Sequence, residues 1–257
     1  MHLRGGKQFS TRKYYPVATP ELQVNLGRRA LLLTAASLPV ACISSLPFPQ
    51  GVTERQPLDI WMRPPQVGQQ WVYKIKNVFN SSVVDTITET VVSVGSQVRI
   101  ARVGEKFGVL PDEIQSPWGY ILQDPHWNPP QKFQKTIPLW PEELRVGWSG
   151  FFRTRYEVLG YPDNSYYWGI NIDAQAWEQL KVPAGNFLAL KYHISAPYFQ
   201  SNDFSRIASW RDEDVWLSPE IGRWVIRRSS GRYIISGVTA GSALFEDYFE
   251  SELIAWK

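Results

Sequence analysis

Trp71-Val72-Tyr73-Lys74-Ile75-Lys76-Asn77-Val78-Phe79 decides how the chain is to be read. Trp71, Tyr73, Ile75 and Phe79 fall on one phase and Lys74 and Lys76 on the other, the period of two that marks a half-buried strand. Asn80-Ser81-Ser82 supplies a turn, Val83 to Val94 a Val- and Thr-rich strand, Gly95-Ser96-Gln97 another turn, and Val98 to Val103 a third strand. Strands joined by such short polar turns make an antiparallel meander.

Downstream, residues 104–145 interrupt the pattern with seven prolines (Pro111, Pro117, Pro125, Pro129, Pro130, Pro138 and Pro141) and with Trp118, Trp127 and Trp140. Proline lacks the ladder donor, so this stretch is expected as a long loop laid over a sheet edge or core. Its three tryptophans are the candidate ligand-binding residues, because an indole left partly exposed can stack on an acyl chain or a sugar. Val146-Gly147-Trp148 then echoes Val67-Gly68…Trp71 and opens a second meander. Its strands are expected over 150–160, 166–182, 186–196, 209–217, 223–228, 232–236 and 244–256. Val182-Pro183-Ala184-Gly185 and Ser218-Pro219-Glu220-Ile221-Gly222 carry the Pro-then-Gly grammar of hairpin turns. Residues 67–257 therefore read as one all-β domain: a curved antiparallel meander sheet or partly open β-barrel, with a long Pro/Trp-rich loop.

Upstream, Gly27-Arg28-Arg29 precedes an apolar run from Ala30 to Ala41 that ends at Cys42, the single cysteine. A positive start, a short apolar core and small residues at its end make 1–41 a secretory signal rather than a spanning helix. The Arg28-Arg29 pair is similar to that of twin-arginine signals. The polar residues 1–25 are expected to be an extension outside the signal, with translation starting nearer Val24. One thiol permits neither an intramolecular disulfide nor a cysteine metal cluster. Residues 42–66, with Pro47, Pro49, Pro57, Pro64 and Pro65, read as a Pro-rich tether. Six of the 27 basic and one of the 24 acidic residues lie in 1–41, leaving 21 against 23 beyond it, a net charge of −2. No nucleic-acid partner is expected from that balance.

Two resemblances follow from these residues. Leu38-Pro39-Val40-Ala41-Cys42 resembles the lipobox of bacterial lipoproteins, with Pro39 standing where that family carries Leu, Val or Ile. It implies a fatty-acid anchor on Cys42, and Ile43 after it implies sorting to the outer membrane, facing the periplasm; the alternative is a soluble periplasmic protein. Trp177 to Leu190 and Asp214 to Val225 resemble a family of bacterial envelope proteins marked by a Val-Pro-Ala-Gly-x-Phe hairpin followed by a Trp-x-x-Pro-Glu-x-Gly hairpin. That resemblance implies an exported, often lipid-anchored β-domain and implies no activity. At the level of fold alone the pattern is also similar to the open half-barrels that carry lipoproteins across the periplasm.

Catalysis needs titratable groups that converge. His193 alternates with Leu190, Tyr192 and Ile194 and reads as a half-exposed strand histidine; His126, between Pro125 and Trp127, reads as a loop histidine stacked on tryptophan. Asp212-Glu213-Asp214 points alternately to opposite faces and reads as a solvated strand start rather than a calcium site. No zinc, nucleophile-turn or phosphate-loop motif occurs, so neither an enzyme nor a cofactor or metal is expected. The expected role is a lipid-anchored, non-catalytic binding or scaffold module for an apolar ligand or an envelope protein. The alternative is a carbohydrate-binding module.

Overall fold

The computed structural model describes residues 52–197, 199–237 and 243–257, which belong to one compact unit. The signal sequence, Arg28, Arg29 and Cys42 lie outside the described residues.

Fourteen strands run along the described chain: β1 (Val52–Glu54), β2 (Gln70–Asn77), β3 (Val83–Val94), β4 (Val98–Gly104), β5 (Gly108–Gln115), β6 (Tyr120–Asp124) and β7 (Gln131–Pro138). They continue as β8 (Ser149–Val158), β9 (Tyr161–Val182), β10 (Gly185–Ala196), β11 (Arg206–Ser218), β12 (Arg223–Ile235), β13 (Leu244–Phe245) and β14 (Phe249–Trp256). Neighbours pair antiparallel in the order β9-β10-β11-β12-β14-β2-β3-β4-β5-β6-β7-β8, and β8 pairs back onto β9. The sheet is therefore a closed barrel of twelve strands, fully closed rather than partly open. β1 pairs with the stretch of β9 that β8 does not reach, Val52 opposite Gln179 and Glu54 opposite Trp177. No described helix is long and apolar enough to cross a membrane.

Two sequence expectations are corrected. Residues 104–145 are not one loop: they hold β5, β6 and β7. Most of their prolines occupy turns or strand ends, and Pro111 falls where the β4–β5 register slips between Ile100 and Arg102, so its missing N–H breaks no regular ladder. Residues 52–66 are not a free tether either. After β1, Ile60 and Met62 pack on the core, and the Arg63 N–H donates to the Pro219 carbonyl at 3.0 Å. Gly222 permits this close approach. Its φ is +67°, and a Cβ there would lie 2.8 Å from the Arg63 carbonyl oxygen.

About eight strands enclose a lumen that side chains just fill, so twelve need bulk. Trp71, Trp177 and Trp224 supply much of it and are almost wholly buried. By area each contributes at most about 4–6 kcal/mol relative to exposure. The β11–β12 hairpin is buried along both faces from Val215 to Ser218 and from Ile221 to Arg228. Trp216, alternating with the inward Val215 and Leu217, is 0% exposed, its N–H donating to Glu178 Oε2 at 2.8 Å. The void beside β6 and β7 is about 30 Å³, the scale of water rather than of a ligand. Side chains therefore fill this part of the core.

Candidate functional site

Charge fills part of the barrel core. In β3, Glu89 shares the inward phase of Ile87 and Val91; in β4, Arg102 shares that of Val98 and Ile100. Arg223 of β12 joins them with a fork on Glu113 (Nη1 to Oε1 and Nη2 to Oε2, both 2.7 Å) and two bonds to Glu89 Oε2, at 2.6 Å from Nη2 and 3.2 Å from Nε. Arg223 and Glu113 are both 0% exposed. The guanidinium also lies 3.7 Å from the centroid of the Trp224 ring, a cation–π contact in a dry setting. Arg102 Nε donates to Glu89 Oε1 at 3.1 Å, and deeper along the same cluster Arg227 forks onto Glu213 at 2.7 and 3.1 Å.

His126 sits among these groups. Its Nδ1 is 2.9 Å from Asp124 Oδ1 and its Nε2 is 3.1 Å from Glu89 Oε1, while its ring meets Trp224 edge-on at 5.2 Å. Ionised carboxylates only accept, so both contacts are hydrogen bonds when the imidazole carries two protons. An imidazolium also balances the charge, four carboxylates (Glu89, Glu113, Asp124, Glu213) against three arginines (Arg102, Arg223, Arg227). In place of the expected stacking on tryptophan there is an edge-on contact with Trp224, and the larger part of this histidine's environment is ionic.

Burial alone would raise the Glu89 carboxyl, but Arg223, His126 and Arg102 outweigh it and hold the group well below the usual range. Burial likewise opposes ionisation of Asp124, and His126 and Arg227 reverse that, leaving it lowered. Groups lowered in this way add stability above the unfolded carboxylate range and lose it as pH falls through their folded values. For Glu213 burial wins over Arg227 and the carboxyl is raised. Removing one member of such a cluster is costly, because the partner is left charged in a dry site. The geometry therefore assigns the cluster to holding the barrel. Among the described residues no group of three His, Cys, Asp or Glu side chains is placed to hold a metal ion.

Outside the barrel, Asp212 and Asp214 flank His193 at 3.5 and 2.9 Å, while Glu213 turns inward. Hydrogen bonds that the His193 ring donates to Asp212 and then Asp214 push the imidazole up to about 10. A raised histidine adds stability in full below its unfolded value near 6.5 and loses it as pH rises through the folded value. With the side chain 30% exposed, solvent screening keeps the contribution at about 1 kcal/mol or less. In an NMR titration the His193 ring should remain protonated at pH 8; a midpoint near 6.5 would refute the pairing.

The three candidate tryptophans do not converge. Trp118 and Trp140 pack edge to face at 5.3 Å, Trp140 almost buried, and Trp127 lies apart against Trp168. Apolar concavity occurs instead where the 57–66 segment crosses the end of the barrel. A groove of about 630 Å³ runs between Pro57, Ile60, Trp61 and Pro64 on one wall and Trp177 and Leu188 on the other. Trp61 is 73% exposed on its rim. The sequence reading passed over Trp61 because it sits in a proline-rich stretch that carries no period.

The fold defines a class, the closed antiparallel barrel with a packed, partly ionic core. Among solved structures it is similar to a protein of Parabacteroides distasonis ATCC 8503 designated a lipoprotein, with 14% identity over 79% of this chain and 100% of that one, at TM-score 0.51. It is equally similar to a protein of Bacteroides fragilis NCTC 9343 designated an exported protein with a YmcC-like fold, with 12% identity over 77% of this chain and 100% of that one, also at TM-score 0.51. These likenesses establish the fold alone. No family model matches the chain, and no curated protein matches it.

Proposed function

We propose that the chain is an exported protein of the bacterial envelope, held to the outer membrane by a lipid on Cys42. In this reading its barrel is a non-catalytic module that shelters an apolar ligand, an acyl chain by preference. The observation that carries the reading is the groove beside Trp61: it is mostly apolar, with Asp59, Arg63, Gln66 and Glu220 also in its lining, and large enough for a ligand. It also lies beside β1, whose first residue is ten positions from Cys42 in sequence, a reach of about 35 Å at most. The two proteins of like fold are designated a lipoprotein and an exported protein, which supports the envelope setting.

The test has two parts. A fatty-acid probe fed to an expressing bacterium should label the full chain and not Cys42→Ala; equal labelling of both, or of neither, overturns the anchor. A fluorescent fatty acid should bind the purified protein, and Trp61→Ala should weaken it about tenfold. If the probe does not bind, or binds the variant equally well, the groove is not its site.

A further inference from the structure

At the other end of the barrel, where the β6–β7 turn meets β12 and the β13–β14 turn, a second pocket of about 350 Å³ opens beside His126. Its wall combines aromatic rings, Phe245, Phe249 and Trp127, with groups able to make hydrogen bonds, Asn128, Ser229 and Tyr233. Phe245 is 70% exposed. Among the described residues the Asn128 amide, the Ser229 hydroxyl and the Tyr233 hydroxyl make no side-chain hydrogen bond. The charged groups at the pocket, by contrast, each have a partner. Glu246 is held by Arg206 and by Arg211, whose Nε donates to its Oε2 at 3.0 Å. His126 is committed to Asp124 and Glu89, and Asp247 takes a bond from Asn77 at 3.4 Å. A Cβ at Gly231 would sit 2.2 Å from Glu246 Oε2, so that glycine makes room for the arrangement.

We propose that this pocket binds the sugar units of a glycan. Arg206 and Arg211 already have carboxylate partners in Glu246 and Asp203, with which an anionic ligand would have to compete, and uncommitted hydroxyl and amide groups would be left unpaired by a purely apolar one. A neutral saccharide satisfies both conditions. Its hydroxyls take the amide and hydroxyl partners, and its C–H face lies on an exposed ring such as Phe245. The pocket is independent of the apolar groove, which lies at the opposite end of the barrel near the β11–β12 turn.

The experiment applies the purified full-length protein to an array of bacterial cell-wall and surface glycans. Wild type is expected to bind at least one glycan. Phe245→Ala and Asn128→Ala should weaken that binding tenfold or more, and Trp61→Ala should leave it unchanged. Phe245 is exposed, so its variant should melt at the wild-type temperature and can decide the question even if Asn128→Ala folds poorly. No glycan bound by wild type, or Phe245→Ala within twofold of it, overturns the proposal. Since Trp61 belongs to the groove, failure of the acyl-chain reading leaves this result interpretable.

Discussion

Arg223→Met should lower the free energy of unfolding by about 3–5 kcal/mol, with the melting temperature falling by roughly 10 °C or more. Methionine nearly replaces the volume of the stem but none of the four hydrogen bonds to Glu89 and Glu113. The two carboxylates, 2% and 0% exposed, then face each other with only Arg102 and His126 for compensation. Arg223→Lys should recover little, since an ammonium cannot reproduce the fork on Glu113. Adding Glu113→Gln to Arg223→Met should regain part of the loss, because a neutral amide removes one of the stranded charges. Urea denaturation of the four proteins checks this. A loss under about 1 kcal/mol for Arg223→Met would mean the guanidinium is not buried as described.

Trp216→Ala is expected to cost about 3–5 kcal/mol, the range for emptying the site of a fully buried aromatic. On the outer face of an ordinary barrel the same truncation would cost far less, since the ring would already meet water. Trp210, in the same phase of β11 but only half buried, is the internal comparison, and Trp210→Ala should be clearly milder. Equal melting temperatures for the two variants would show that the β11–β12 hairpin is not covered on its outer side.

How much of this was legible in the sequence depends on whether the signal is local. β3 was read to the residue and β10 within one, because alternation between two faces is written in adjacent positions. β12 read as two strands, since Ser229-Ser230-Gly231 breaks the apolar alternation. The strand continues there because β11 holds its backbone, with Asp212 opposite Ser230 and Arg211 opposite Gly231. β9 likewise starts at Tyr161, and the turn-like Pro162-Asp163-Asn164 form an irregular stretch between the paired Tyr161–Val158 and Tyr166–Tyr156. The ionic core was not legible as a set. Arg223 meets carboxylates 110 and 134 positions away, and closing the barrel is what brings them together. A partial signal did exist: Glu89 and Arg102 each occupy the apolar phase of their own strand, where an ionisable group requires a buried partner.

The attachment of β1 has a mechanical meaning. A pull on the chain from its N-terminal side reaches the three residues paired with β9 and the Arg63–Pro219 bond before it reaches the barrel. These few bonds yield at far lower load than a closed ladder of twelve strands. Their release would pay out residues 52–66, roughly 50 Å of added slack when extended, while the barrel stays intact. The same event would strip one wall from the groove at Trp61, so that tension along the chain and occupancy of the groove become antagonists.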